Sequence, residues 1–393
     1  MPLGGLLAKH GSPLLIFEPE KVRTQYSMLQ TMLPMVEHHF AIKALRHPAA
    51  VAAVDDCGGY FDVMTNGDID MVRAQGIAPE RCIHTNPIKK PSDIAYARGV
   101  GLTTFVVDNA NEVDKLAAAG GDVQVLVRLS FPNPQAKSDL SAKFGAPPDD
   151  AVQLVRHALQ RGLTVAGFTL HVGSQIHNAQ AYAVALTKTI ALINRVQHEL
   201  DYRLRVLDIG GGMPVDYLEP APHLQEIAQA ITPLIEPLKD TMRILSEPGR
   251  FIVAPSMTLI SQIVGKNTRG GKTWYYIDDG VYGSYSSVIY EHVAQPIFAL
   301  KELLSVLPLP LHESVVAGPT CDSADVVQED CLLPELAIGD YVISPMMGAY
   351  TAVSATDYNG IPRTPIAVLD DPQPRAARTA AASRKPDNMA PFM

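Results

Sequence analysis

The chain has 393 residues, 47% of them hydrophobic and 19% charged, which is material for a large core spread over two or three domains. Thirty-two basic against 41 acidic residues leave a net charge of -9, which argues against a nucleic-acid or anionic-membrane surface. No apolar run approaches the roughly 18 residues that span a bilayer, and the start of the chain lacks the basic and apolar segments of a secretory signal. The four cysteines, Cys57, Cys82, Cys321 and Cys331, are too few and too scattered for a disulfide framework or a metal site. The expectation is a soluble, cytoplasmic enzyme without a metal.

A run at 13–17 reads as an early strand. From about residue 36 the chain alternates short β-branched or apolar runs with longer stretches of helical spacing. The runs at 38–42, 60–64, 82–85, 103–107, 123–129, 165–170, 205–209 and 242–246 read as strands. The segments 48–57, 91–98, 151–161 and 179–199 read as helices between them. Strands alternating with helices indicate parallel β/α units. Eight such units in about 210 residues predict a closed (β/α)8 TIM barrel. After Arg250 the texture changes to strands at 251–264, 273–277, 313–317, 340–343 and 365–369, bounded by Gly, Pro and Asp. These predict a C-terminal, mostly β domain to which 13–17 adds a strand. The expected division is a barrel over 19–248, a β domain from 1–18 and 249–370, and a flexible tail at 371–393. No solenoid repeat is present.

The polar residues fall at strand ends. Lys43 follows the first barrel strand, Asp62 sits in the second, Asn86 follows the third, Asp108 the fourth, and Arg128 lies near the end of the fifth. His171 follows the sixth, Gly210-Gly211-Gly212 the seventh and Glu247 the eighth. In a barrel these converge on one mouth, the face that carries the chemistry of barrel enzymes.

Leu207-Asp208-Ile209-Gly210-Gly211-Gly212 runs a strand into three residues without side chains, a loop whose backbone N–H groups can close on a phosphate. A tight turn without a ligand is the alternative. Glu247-Pro248-Gly249-Arg250 adds a glycine and a guanidinium on the neighbouring strand end. Lys43, flanked by Phe40, Ala41 and Ile42, is expected to be desolvated with its pKa lowered, which suits a Schiff-base lysine. A phosphate cradle beside such a lysine suggests pyridoxal phosphate, and Glu247 against the pyridine nitrogen would keep the ring a strong electron sink. His171 could stack on the ring and Ser174 donate to the phosphate. In Gly318-Pro319-Thr320-Cys321-Asp322-Ser323-Ala324-Asp325, Cys321 is either a buried structural cysteine or a thiol poised to protonate a carbanion, with Asp322 recognising a cation. Tyr350 offers a hydroxyl for the phosphate or the ring.

Taken in order, the motifs Ala41-Ile42-Lys43-Ala44, His171-Val172-Gly173-Ser174, Asp208-Ile209-Gly210-Gly211-Gly212, Glu247-Pro248-Gly249-Arg250 and Cys321-Asp322-Ser323-Ala324-Asp325 resemble the fold-type III pyridoxal-phosphate decarboxylases, the ornithine/diaminopimelate/arginine decarboxylase family. The resemblance spans about residues 14–369 and is greatest to the ornithine branch, through Asp279-Gly280-Val281-Tyr282-Gly283-Ser284 and Ser141-Ala142-Lys143-Phe144-Gly145. It implies an alanine-racemase-like barrel with Lys43 as the Schiff-base lysine, Glu247 at the pyridine nitrogen and His171 on the ring face. It places Ser174, Gly211, Gly212, Gly249, Arg250 and Tyr350 around the phosphate, with Asp62 and Arg128 supporting. Cys321 is implied as the proton donor and Asp322 as the ligand of the substrate's distal amine, with Tyr282, Tyr290 and Glu291 also contacting substrate. The implied assembly is a head-to-tail homodimer with shared sites. The implied reaction is decarboxylation of a basic L-amino acid, foremost L-ornithine to putrescine and CO2 in polyamine biosynthesis.

Three departures bear on the substrate. The ornithine branch usually carries an aspartate after the tyrosine of its specificity helix, whereas Tyr290 here is followed by Glu291. The extra methylene moves the carboxylate by roughly 1.5 Å, which on a fixed backbone favours a shorter diamino acid. A viral arginine-using relative also has glutamate there, which points the other way. Asn66-Gly67-Asp68 replaces a Lys-Thr-Glu run, making Asp68 a shortened form of a common glutamate near the lysine. Cys321 is followed by Asp322 rather than the glutamate of diaminopimelate decarboxylases. L-arginine, L-lysine and a shorter or modified diamino acid therefore stay open as substrates. Glu247 speaks against a racemase, which has arginine there. Retention of Lys43, His171, Glu247, Arg250, Cys321 and Tyr350 speaks against a silent, antizyme-inhibitor-like regulator.

Overall fold

The computed structural model describes residues 3–133, 136–137 and 140–369, so the expected tail at 371–393 lies outside the described residues. After a first strand, β1 (Leu14–Phe17), eight strands close into a parallel barrel: β2 (Val36–Ala41), β3 (Tyr60–Val63), β4 (Cys82–His84), β5 (Thr104–Val107), β6 (Gln124–Leu129), β7 (Thr164–Leu170), β8 (Val206–Asp208) and β9 (Arg243–Ser246). Each barrel strand falls within a residue or two of its expected position. The sequence patterning was strong here because the outward residues of every strand pack beneath a helix and the run lengths are short.

Helices fill the crossovers, among them Pro48–Asp56, Pro91–Gly99, Ala151–Gln160 and Gln180–Leu200. Their starts are chemically marked. His47 accepts from the Ala49 N–H at 3.1 Å ahead of Pro48, and Thr65 and Asp68 form a reciprocal capping box for Asn66–Ala74. Asp68 also accepts from Arg46 at 3.1 Å. Asp68 is thus a helix cap with an ion-pair partner, rather than a carboxylate presented to Lys43.

Strand parity explains the barrel interior. Val106, Leu126, Ala166, Val206 and Leu245 form a small apolar cluster inside it, separate from the main core. Two residues further along the same strands, and so on the same face, come Asp108, Arg128, Asp208 and Glu247. The opposite end is closed by Glu37 and Arg243, paired at 2.6 Å. One apolar layer thus separates a structural ion pair from a polar rim at the C-terminal ends of the strands.

The second unit is a sheet of β10 (Met257–Arg269), β11 (Lys272–Ile277), β12 (Phe298–Ala299), β13 (Leu311–Ala317), β14 (Val326–Pro334), β15 (Tyr341–Ser344) and β16 (Ile366–Val368), with β1. β1 pairs antiparallel with β10 and parallel with β16. Two strands escaped the sequence reading. β14 has the polar centre Gln328-Glu329-Asp330 and ends in a proline, and β12 is only two residues long. The expected strand at 251–264 begins instead with a helical turn, Arg250–Val253, and a 3₁₀ turn, Ala254–Ser256. Phe251, Ile252, Val253 and Ala254 are all buried, and a run buried on every side carries no period to distinguish helix from strand.

Three histidines, His38, His39 and His84, lie on barrel strands with 1% exposure each. Burial pushes them down, His38 and His84 to about 4 and His39 to about 3. Unfolding restores an ordinary histidine, which takes up a proton below about pH 6.5. Their contribution to stability is therefore present above that pH and is lost as pH falls towards 4. For His84, neither of whose ring nitrogens has a hydrogen-bond partner, the loss is on the order of 3 kcal/mol. Urea unfolding at pH 7, 6, 5 and 4.5 is expected to show that loss, with a shallower pH dependence in His84→Leu. Parallel curves for the two proteins would contradict it.

Candidate active site

The rim of the barrel and the β domain enclose a cavity of about 240 Å³. It is lined by Lys43, Met64, Thr85, Pro87, Arg128, Leu140, Phe144, His171, Ser174, Gly212, Glu247, Gly249, Arg250, Glu291 and Tyr350. Of the residues singled out from the sequence, Lys43, Arg128, His171, Ser174, Gly212, Glu247, Gly249, Arg250, Glu291 and Tyr350 meet here. Asp62 stands directly behind Lys43, and Gly211 precedes the lining glycine.

Lys43 sits in a 3₁₀ turn, Ile42–Ala44, that follows β2. The backbone N–H of Tyr350 donates to the Ala44 carbonyl at 2.9 Å, so a β-domain loop is tied to the lysine's own turn. The side chain keeps 35% accessibility and lines the cavity. Its Nζ lies 3.7 Å from Asp62 Oδ2. Burial is the largest influence on this amine and lowers its pKa, yet Asp62, then Tyr350 and Glu247, outweigh it and hold the amine above the ordinary lysine value. The lowered pKa expected from an apolar strand end is therefore corrected. The strand supplies the desolvation, but Asp62, Tyr350 and Glu247, from three other elements, outweigh it. Asp62 in turn is pushed up to about 7, burial dominating and Lys43 opposing. Its Oδ1 accepts from the Thr85 hydroxyl.

His171 follows β7. Its Nδ1 accepts from the Gly173 N–H at 3.1 Å, and burial, then Arg128 and Lys43, hold it far below the usual histidine range. The ring is neutral, with its proton on Nε2. That nitrogen faces the glycine run, since a Cβ on Gly211 would lie 3.3 Å from it. The run itself has no room for side chains. Gly212 has φ 101°, and a Cβ there would come within 2.1 Å of the Gly173 carbonyl oxygen.

Glu247 is pushed well above the carboxylate range, by burial first and by Asp208 next. Asp208 accepts from the Gly210 N–H at 2.8 Å and is itself raised by burial. Burial and the neighbouring Asp208 thus make the charged form of Glu247 costly. Arg128, across the cavity, lies over the Phe144 ring at 5.3 Å, and Asp108 holds that loop by accepting from the Gly145 N–H at 2.9 Å. Asn86 serves a local turn, accepting from Ile88.

Arg250 occupies the other end. Its guanidinium donates to Tyr217 Oη at 3.0 Å, Ser174 Oγ at 3.0 Å and Glu291 Oε2 at 2.6 Å. It also stacks over the Tyr350 ring at 4.9 Å. Tyr350 holds φ 56°, a conformation rare for an aromatic residue and one typical of functional loops. The Arg250 Nε is buried without a partner.

Cys321, Asp322, Tyr282 and Tyr290 are not among the lining residues of this cavity. Cys321 is exposed, and Tyr290 is 55% exposed on the short helix Ser287–Tyr290. Tyr282 Oη donates to Asp322 Oδ2 at 2.5 Å. Sequence reasoning missed Tyr217, which lies in a loop with no motif around it. It also left out Thr85 and Asp208 as site residues, although Asp208 sits within the glycine motif itself.

The donors fit a flat, anionic, nitrogen-containing ring. An amine, a neutral imidazole face and the raised carboxyl of Glu247 surround one end of the cavity. A guanidinium with an orphaned N–H, a hydroxyl and a glycine cradle form the other. The pyridoxal-dependent decarboxylase family's model of the pyridoxal binding domain matches residues 19–254. The chain belongs to the fold-type III pyridoxal-dependent decarboxylases. The lysine/ornithine decarboxylase of Selenomonas ruminantium is 33% identical over 368 residues, covering 93% of this chain and 92% of that protein. Antizyme inhibitor 2 of Xenopus laevis is 32% identical, covering 88% of this chain and 77% of its own length. Among solved structures, the lysine/ornithine decarboxylase of Vibrio vulnificus complexed with cadaverine superposes with a TM-score of 0.86 at 38% identity, over 94% of this chain and 98% of that one. This decarboxylase is thus a pyridoxal-phosphate enzyme acting on a basic amino acid. No helix among its described residues is long and apolar enough to cross a membrane.

Proposed function

We propose that the enzyme converts L-ornithine to putrescine and CO2, with L-lysine and L-arginine as the competing substrates. The observation that carries a basic substrate is Glu291. Its carboxylate lines the cavity and reaches as far as the Arg250 guanidinium, so an anion stands within the chamber to receive a distal cation.

In this reading Lys43 would hold the cofactor covalently, and Arg250, Ser174, Gly211, Gly212, Gly249 and Tyr350 would hold its phosphate. When bound, the cofactor takes up the electron pair released as the bond from Cα to the carboxylate breaks. Glu247, whose pKa burial and Asp208 raise, would face the pyridine nitrogen and help keep it protonated. His171, neutral and fixed by Gly173, supports the ring face without adding a charge. Asp62 would hold the Lys43 amine within reach, and Arg128 balances the carboxylates across the cavity.

Cys321 returns a proton to Cα and Asp322 receives the distal amine. Neither lines the Lys43 cavity of its own chain, which supports a homodimer in which each copy completes the other's site. The division into 19–248 and a composite of 1–18 with 249–370 is likewise our reading, supported by the strand order, and a cytoplasmic location is an expectation from the sequence alone.

The test is CO2 release by the cofactor-loaded protein on L-ornithine, L-lysine, L-arginine, L-2,4-diaminobutyrate and meso-diaminopimelate at matched concentrations. The expected result is a kcat/KM highest for L-ornithine. A preference for L-arginine would overturn the substrate, and no release from any of them would overturn the reading itself.

A further inference from the structure

Five side chains of the β domain form a closed circuit outside the Lys43 cavity. Tyr282 donates to the Asp322 carboxylate at 2.5 Å and stacks on Tyr358 with ring centroids 4.3 Å apart. Asn359, next in the chain, donates through Nδ2 to the Cys321 sulfur at 3.1 Å. Cys321 and Asp322 are themselves neighbours, so the circuit returns to its start. The segment carrying Tyr358 and Asn359 is fastened to the same tyrosine, because both the N–H and the hydroxyl of Thr356 donate to the Tyr282 carbonyl at 2.8 and 3.1 Å. Asn359 holds φ 57° and ψ 15°, a left-handed conformation that asparagine tolerates better than most residues.

We propose that Asn359 is a positioning residue for the Cys321 thiol. This rests on the reading of Cys321 as proton donor. When Cα takes the proton, the S–H bond breaks and its electron pair stays on sulfur. The Asn359 N–H, already aimed at that atom, stabilises the thiolate until solvent reprotonates it. A donor aimed at a sulfur favours its charged form, and because Nδ2 approaches a sulfur lone pair, the S–H bond must point elsewhere. Through the tyrosine stack the same circuit fixes the distance between the proton-delivering sulfur and the Asp322 carboxylate.

The thiol is readable on its own. Among the four cysteines, Cys82 and Cys331 are buried and Cys57 is half-buried, which leaves Cys321 as the exposed one. The experiment measures carbamidomethylation of the full-length, cofactor-loaded protein by iodoacetamide at pH 7.5, with Cys321→Ala as the blank. Asn359→Gly, which keeps the left-handed backbone free of strain, is expected to react about fivefold more slowly, and Asn359→Asp, which faces the sulfur with an acceptor, about tenfold or more. In both, kcat for the preferred substrate falls while KM stays within about twofold, since Tyr282 still holds Asp322. Tyr358→Phe, which preserves the stack, leaves the alkylation rate at the wild-type value.

Alkylation of the two Asn359 variants within twofold of wild type would overturn the proposal, as would a rise in KM matching the fall in kcat, which marks a merely structural contact. The underlying reading fails separately. If Cys321→Ala retains wild-type turnover, Cys321 is not the proton donor, whatever the alkylation rates show.

Discussion

Replacing Lys43 with alanine is expected to abolish covalent retention of the cofactor and to lower kcat at least about 10³-fold. Among the described residues the amine is the one primary amino group lining the cavity, and no other described cation there can replace it, because Arg128 and Arg250 are guanidiniums. Cofactor still binds without the covalent link, since the Arg250 end is untouched. Borohydride treatment followed by mass spectrometry separates the two states: the wild type gains the mass of the reduced adduct, and the variant does not. An adduct in the variant would place the linkage elsewhere and remove Lys43 from the mechanism. The substitution also strands Asp62, whose carboxyl is pushed up to about 7 with Lys43 as its main opposing charge. Without the amine it is protonated across the neutral range, so the variant is expected to fold normally rather than carry a buried unpaired anion.

Replacing Arg250 with alanine is expected to raise the Kd for pyridoxal phosphate about 100-fold, or about 2.7 kcal/mol, as measured by fluorescence titration. The guanidinium spans Tyr217, Ser174 and Glu291 at once and stacks on Tyr350. A lysine offers the charge but not the fork, so Arg250→Lys is expected to recover only about tenfold of the loss. A bound phosphate and the Glu291 carboxylate contend for the same nitrogen. Glu291→Gln is therefore expected to tighten the cofactor slightly while weakening the amino-acid substrate. A Kd for Arg250→Ala within threefold of wild type would show that the glycine cradle alone holds the phosphate.

The barrel was legible because its signals are local and repeated. Eight short apolar runs, each bearing one polar residue at its end, leave little freedom in where the mouth lies. The sheet was less legible, because β14 is half exposed with a charged centre and the turn at Arg250–Val253 is buried on every face. At the site, residue types and order identified the groups, and the charges they carry depended on neighbours far away in the chain. Lys43 shows this most plainly. Its own segment argues for a lowered pKa, and the reversal comes from Asp62, Tyr350 and Glu247, which only the fold brings together. Tyr217 was illegible for the same reason. Nothing in its loop marks it, and its role is defined by a guanidinium 33 residues away.

The pairing of β1 with β10 and β16 has a consequence for how the polypeptide is made. β1 leaves the ribosome before any barrel strand, yet both of its hydrogen-bonding partners are synthesised after the barrel is complete. The nascent chain must therefore carry an unpaired apolar strand, Leu-Leu-Ile-Phe, through the synthesis of more than half its length. The last edge of that strand is covered only when Ile366–Val368 emerges. During that interval the barrel can close, but the loop bearing Tyr350, which fastens Lys43's turn, does not yet exist. Assembly of the cofactor site is thus a late event in the life of each chain, and the exposed strand is the segment most in need of protection until then.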